Sequence, residues 1–157
     1  MVSYADNDEQ HVFTWKKIGR KYVTAFKDER GMVQALVDKI KERDPDMVVT
    51  YNGDMFDFPY LKERCRRLGV RFDINADGSE PIVKRKGLAE GAVKVRGRQH
   101  LDAFQIVRLL ARIGVLSLVK FDLESVAKVL YNEEKEKVKP EEINLAWDSG
   151  KGLERVA

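Results

Sequence analysis

A helix stop followed at once by an apolar strand and a second helix start constrains this chain more than any other feature. Glu29 through Arg43 places Met32, Val33, Leu36, Val37 and Ile40 at the i, i+3/i+4 spacing of one helical face, with Lys, Asp and Glu on the other. Asp28 offers a side-chain oxygen for the N-cap, and Asp44-Pro45 ends the helix because the residue before a proline is pushed out of the α region. Met47 to Tyr51 is then a short apolar run between that stop and Asn52-Gly53, the pattern of a buried strand. A second helix follows from Phe56 to about Leu68, with Gly69 as its C′ residue. This alternation predicts an α/β layer structure with Met47 to Tyr51 inside the sheet and any ligand at that strand's C-terminal end, beside Tyr51 and Asn52.

The flanking segments fit around that unit. Met1 to Asp6 is a short apolar run broken by polar residues and His11 to Lys16 is rich in β-branched and aromatic types, which reads as two strands joined by a turn at Asn7 to Gln10. From Pro81 to His100, two strand-like runs surround a glycine-containing turn near Gly87 to Gly91, a projecting and basic hairpin. Residues from about 104 to 157 read as helical: Phe104 to Ile113, then Asp122 to Leu130 with Asp122 as N-cap, then a short helix from Pro140 at N1 to Trp147. A length of 157 residues at 43% hydrophobic composition suits one domain, and no repeat or low-complexity linker divides it.

No window approaches the length of apolar chain that a membrane span needs, and MVSYADNDEQ has neither a basic nor an apolar targeting region. The expectation is a soluble, cytoplasmic protein with no membrane partner. Cys65 is the single cysteine, so neither an intrachain disulfide nor a cysteine metal cluster is available, and it reads as a small residue on a helix. Charged residues make up 35% of the chain, mostly interleaved in sign, a bias found in heat-adapted proteins.

The net charge of +3 is too small to identify a nucleic-acid binder, so the distribution of cations matters more. Lys84, Arg85, Lys86, Lys94, Arg96 and Arg98 lie within fifteen residues whose single acid is Glu90. Lys94, Arg96 and Arg98 alternate, which on a strand gives one face able to follow a phosphate backbone; a charged hairpin also protects an edge strand.

Tyr51-Asn52-Gly53-Asp54-Met55-Phe56-Asp57-Phe58-Pro59 puts two carboxylates and an amide where a strand meets a helix N-terminus. Two-metal phosphodiester hydrolysis needs several carboxylates converging on Mg²⁺ or Mn²⁺, and an aspartate fixed in the first turn of a helix is a rigid ligand for that purpose. Asp54 and Asp57 serve equally well as caps complementing the helix dipole. His100 and Asp102 would share one side of a strand as a metal pair, or Asp102 would cap the helix starting near Phe104. Trp15, Trp147 and Phe121 are at core spacing.

YNGDMFDFPYL resembles the second exonuclease motif of family B DNA polymerases: Asn, three residues, an aromatic, then Asp. The resemblance extends in order through SYAD, TWKKI, KERDPDMVVTYNGD, the GSEP loop, VKVRGRQHLD, FDLESVAKVLY and GLERVA, and it points to archaeal replicative polymerases. It implies a ribonuclease H-like α/β exonuclease fold, incomplete at both ends, that removes a misinserted nucleotide from a single-stranded DNA 3′ end. It implies Asp57 as metal ligand and catalytic carboxylate, Asn52, Phe56 and Tyr51 as substrate contacts, and Lys84, Arg85, Lys94, Arg96 and Arg98 as DNA contacts.

The family's first motif, Asp-X-Glu, would precede SYAD and its third, a Tyr with an Asp four residues on, would follow GLERVA. Asp57 is thus the one family carboxylate matched, and one carboxylate does not hold two divalent ions. The expectation is a chain inactive alone, marginally stable or self-associating, that works with the remainder of a polymerase. A non-catalytic module that binds DNA or docks on a polymerase, and an inert remnant, are the competing readings.

Overall fold

α1 spans Glu29–Arg43 as its periodicity predicts. The Asp28 carboxylate accepts from the Gly31 amide at 2.8 Å at its start, and Asp44, in the left-handed region at φ 43°, ends it ahead of the proline. Met32, Val33, Leu36 and Val37 are buried along one stripe and meet Phe13, Phe58, Phe72, Ile74 and Val95 in the main core. Each such side chain taken fully out of water contributes roughly 1.5–3 kcal/mol, which is why this helix anchors the unit. The computed structural model describes residues 1–86, 90–132, 140–150 and 152–153.

One side of the core is a three-stranded sheet of β1 (Val2–Ala5), β2 (Gln10–Thr14) and β3 (Val23–Ala25). β1 and β2 are antiparallel, as expected for two strands joined by a turn, and β2 and β3 are parallel. β3 escapes a reading by periodicity because three residues are too few to show alternation; its Val-Thr-Ala composition is the only cue.

β4 (Met47–Thr50) pairs in parallel with β7 (Gln99–Asp102), Thr50 standing opposite Asp102. The expectation of a strand buried inside the sheet is corrected here. Among the described residues β7 is its sole partner, and Met47 and Val49 are 45% and 58% exposed. Only the Val48 face packs on the core, so the apolar run reflects two apolar faces of which one is covered.

α2 (Asp57–Leu68) follows β4 and ends at Gly69, φ 65°, the C′ position foreseen. It buries Phe58 and Cys65, and burial pushes the Cys65 thiol up to about 11, so this cysteine is an inert core residue. β5 (Ile82–Lys86) and β6 (Glu90–Lys94) form an antiparallel hairpin whose Val83 and Val93 pack against the core; its turn, 87–89, is outside the described residues. α3 (Ala103–Arg112), α4 (Leu123–Tyr131) and α5 (Pro140–Ser149) complete the chain. Asp102 and Asp122 cap α3 and α4 through the Phe104 and Ser125 amides. α5 meets the end of the first sheet through an edge-to-face contact of Trp147 with Trp15, centroids 4.9 Å apart; Trp15 packs half-buried against the core, and both rings line a groove rather than lying inside the core.

Candidate active site

The turn between β4 and α2 is closed by the Asn52 carbonyl, which accepts from the Met55 and Phe56 amides. Asn52 adopts φ 65°, a conformation that asparagine tolerates better than other side chains. Gly53 is required next, since a Cβ there would stand 2.1 Å from the Thr50 hydroxyl. The turn therefore delivers Asp57 at the first residue of α2 with Phe56 in the N-cap position, where it makes no side-chain cap bond.

The two aspartates of this turn have different fates. Asp57 lines a groove of about 1070 Å³ walled by β1, β2 and α5, and it is the sole acid among the described residues lining it. Burial first, and the nearby Asp102 charge second, hold its carboxyl above the ordinary aspartate value. Beyond its own backbone amide it has no hydrogen-bond or ion-pair partner among the described residues, so its charge is desolvated and uncompensated. Such a carboxylate, at a helix N-terminus and facing a groove, fits a hard divalent cation. No three of the described His, Cys, Asp and Glu residues converge as a metal group.

Asp54 turns into the protein and is 9% exposed. Its Oδ1 accepts from the Val93 amide at 2.7 Å and lies 3.5 Å from His100 Nδ1; burial is the main cause of its raised pKa. Neither aspartate is the N-cap of α2; Asp57, in its first turn, still complements the helix dipole. Asp102 accepts from the Asn52 and Asp54 amides at 2.8 and 3.0 Å, as well as capping α3. Asp102 thus accepts three amides, and His100 Nε2 is 2.9 Å from the Thr50 hydroxyl, so both are engaged in holding the turn, and no three of the described His, Cys, Asp and Glu residues there form a metal group.

Asn52, Phe56 and Asp57 are brought together on one turn. Phe56 is 62% exposed and stacks in parallel on Tyr60 one helical turn on, rings 5.9 Å apart and 8° from coplanar. Both rings border a recess of about 130 Å³ that Asp57 also lines. Tyr51 is held elsewhere: its hydroxyl donates to the Phe121 carbonyl at 2.6 Å and its ring meets the face or edge of Phe104 at 5.6 Å, which makes it a packing residue of this turn.

The basic cluster is divided by the structure. Lys84, Lys94 and Arg96 are exposed. Arg98 is not, its side chain being 4% exposed, with Nε donating to the Ile74 carbonyl, Nη1 to the Pro45 carbonyl, and an ion pair to Asp44. The single face expected for Lys94, Arg96 and Arg98 does not form, because β6 stops at Lys94, Val95 is buried, and the chain turns at Arg96-Gly97. The Arg85 side chain lies outside the described residues. A basic groove that the sequence reading missed runs instead between the hairpin and α3. Lys84, Arg108 and Arg112 line about 400 Å³ there with Gln105, and no acid is among the described lining residues. The i, i+4 spacing of Arg108 and Arg112 on α3 was the available signal.

Residues 1–126 match the family model for the exonuclease domain of family B DNA polymerases. Over all 157 residues the chain is 46% identical to the DNA polymerase of Thermococcus hydrothermalis and 45% identical to DNA polymerase 1 of Pyrococcus abyssi, spanning 9% and 20% of those proteins. In structure it is similar to the family B DNA polymerase of the hyperthermophilic archaeon Pyrobaculum calidifontis, with a TM-score of 0.61 and 29% identity, covering 82% of this chain and 16% of that one. The chain thus spans a small part of the length of the relatives it matches, and among the described residues no helix is long and apolar enough to cross a membrane.

Proposed function

The chain belongs to the exonuclease-domain family of family B DNA polymerases, and we propose that it forms part of a ribonuclease H-like 3′–5′ proofreading site that acts on single-stranded DNA 3′ ends in a complete polymerase. The observation that carries this reading is Asp57, a half-buried carboxylate at the start of α2 with no charge partner among the described residues, facing a groove of about 1070 Å³ beside an exposed aromatic pair. The mixed β1–β2–β3 sheet and the parallel β4–β7 pair with helices against them support the ribonuclease H-like assignment.

Asp57 would hold Mg²⁺ or Mn²⁺ together with carboxylates from the rest of the polymerase, since one aspartate cannot hold two ions. When bound, the metals supply Lewis acidity that lowers the pKa of the attacking water and neutralises charge on the leaving oxygen. The chain's own residues place the DNA. Phe56 offers a ring for base stacking and the Asn52 side-chain amide, without a hydrogen-bond partner among the described residues, offers polar contacts; Tyr51 keeps the turn in place through Phe121.

Lys84, Lys94 and Arg96 from the hairpin region, with Arg108 and Arg112 of α3, supply phosphate contacts. That basic groove, with no acid among its described lining residues, also favours a second reading, a non-catalytic module that holds DNA or docks on a polymerase. Degradation of a 3′-labelled single-stranded DNA by the purified chain with Mg²⁺ or Mn²⁺ tests the division of labour. The label is expected to stay intact with wild type and with Asp57→Ala; loss that depends on Asp57 would show that this chain carries a complete carboxylate set.

A further inference from the structure

We propose that Asp54 is a positioning residue, the clamp through which hairpin strand β6 fixes the turn that carries Asp57. The inference rests on the reading of Asp57 as metal ligand and concerns how that carboxylate is held. The contacts converge on both sides of it. Asp54 donates its own amide to Asp102 at 3.0 Å and accepts the Val93 amide on its side chain at 2.7 Å, so one residue joins the turn to β7 and to β6. The approach of β6 is tight, because a Cβ built on Gly91 would lie 2.7 Å from the Asp54 carbonyl and 2.8 Å from Met55 Sδ.

His100 closes the circuit. It lies 3.5 Å from the Asp54 carboxylate, 2.9 Å from the Thr50 hydroxyl, and its ring packs edge-on against Phe58 at 4.6 Å. Phe58 in turn donates its amide to the Gly53 carbonyl at 3.1 Å. Residues 52 and 54 are therefore hydrogen-bonded to β6, β7 or both, Phe58 packs on β7 through His100, and Asp57 lies between these fixed points.

Amide hydrogen exchange on the full 157-residue chain, read residue by residue, tests the clamp in wild type, Asp54→Asn, Asp54→Ala and Gly91→Ala. Asp54→Ala and Gly91→Ala are expected to raise exchange at Asn52, Asp54 or its replacement, Phe58 and Val93 together, by about tenfold, while Val33 and Val37 in α1 stay near wild-type rates. Asp54→Asn keeps an acceptor for Val93 and is expected to restore most of the protection. Deprotection confined to position 93 in Asp54→Ala, or to the hairpin in Gly91→Ala, would overturn the proposal. If Asp54→Ala also deprotects α1, the Gly91→Ala and Asp54→Asn pair decides by the same criterion. The metal role of Asp57 is read separately, by Mg²⁺-dependent digestion of a 3′-mismatched primer in a complete polymerase carrying this chain, so failure of that role leaves the exchange result to decide the clamp.

Discussion

Arg98→Ala separates a structural cation from a DNA-binding one. In the folded chain the Arg98 guanidinium donates to the carbonyls of Ile74 and Pro45 at 2.9 and 2.8 Å from a side chain that is 4% exposed. Its third partner, Asp44, is 77% exposed and stays hydrated when the arginine is removed, so that ion pair adds little. A hydrogen bond from a charged donor contributes about 1.5–3 kcal/mol, and two of them, offset by partial entry of water, give a loss of about 3 kcal/mol. For a chain of this size 1 kcal/mol moves Tm by about 2–4 °C, so the expected fall is about 6–12 °C. Thermal melting by circular dichroism reads it, alongside a salt titration of single-stranded DNA binding at a temperature where both proteins are folded. The slope of log affinity against log salt is expected to stay at the wild-type value. A melting temperature within about 2 °C of wild type, with the slope reduced by about one, would refute the reasoning and return Arg98 to the phosphate backbone.

Other outcomes follow from the same geometry. Lys84→Ala, Arg108→Ala and Arg112→Ala should each reduce the salt slope by up to about one and leave Tm nearly unchanged, in a fluorescence anisotropy titration. Asp57→Asn should raise stability at neutral pH. Burial lifts the folded-state pKa of Asp57 above its unfolded value, so the ionised carboxylate costs stability at pH above the folded pKa. That cost disappears as pH falls through the folded pKa, so the wild-type and Asp57→Asn melting curves should converge in acid; a constant gap across pH would contradict the assignment. Leu36→Ala, in the core stripe of α1, should cost about 2–5 kcal/mol by denaturant unfolding.

Local rules carried the helices well. The stripe Met32, Val33, Leu36, Val37 and the caps Asp28, Asp102 and Asp122 are short-range patterns, and each appears in the structure as the spacing indicated. What depends on distant partners was not legible. The alternation of Lys94, Arg96 and Arg98 implies a shared face only while the strand continues, and the turn at Gly97 takes Arg98 into a site made by residues 44, 45 and 74. Burial of β4 was inferred from an apolar run, yet which of its faces is covered is decided by elements far along the chain. Within the motif, the resemblance singles out Asp57, but residue type and spacing alone do not show where either aspartate points. Asp54 faces a hairpin amide 39 residues away and Asp57 a groove, environments that tertiary structure sets.

The central claim is that Asp57, held by this fold, is a metal-binding carboxylate of a proofreading site completed by the rest of a polymerase. The most direct measurement replaces the matching 157-residue stretch of the Thermococcus hydrothermalis DNA polymerase with this chain and follows digestion of a 3′-mismatched primer with Mg²⁺. Primer extension serves as the control for folding. The chimera is expected to digest the primer, and Asp57→Ala to slow digestion by at least about a hundredfold while extension is retained. Digestion at an equal rate with and without Asp57 would contradict the account.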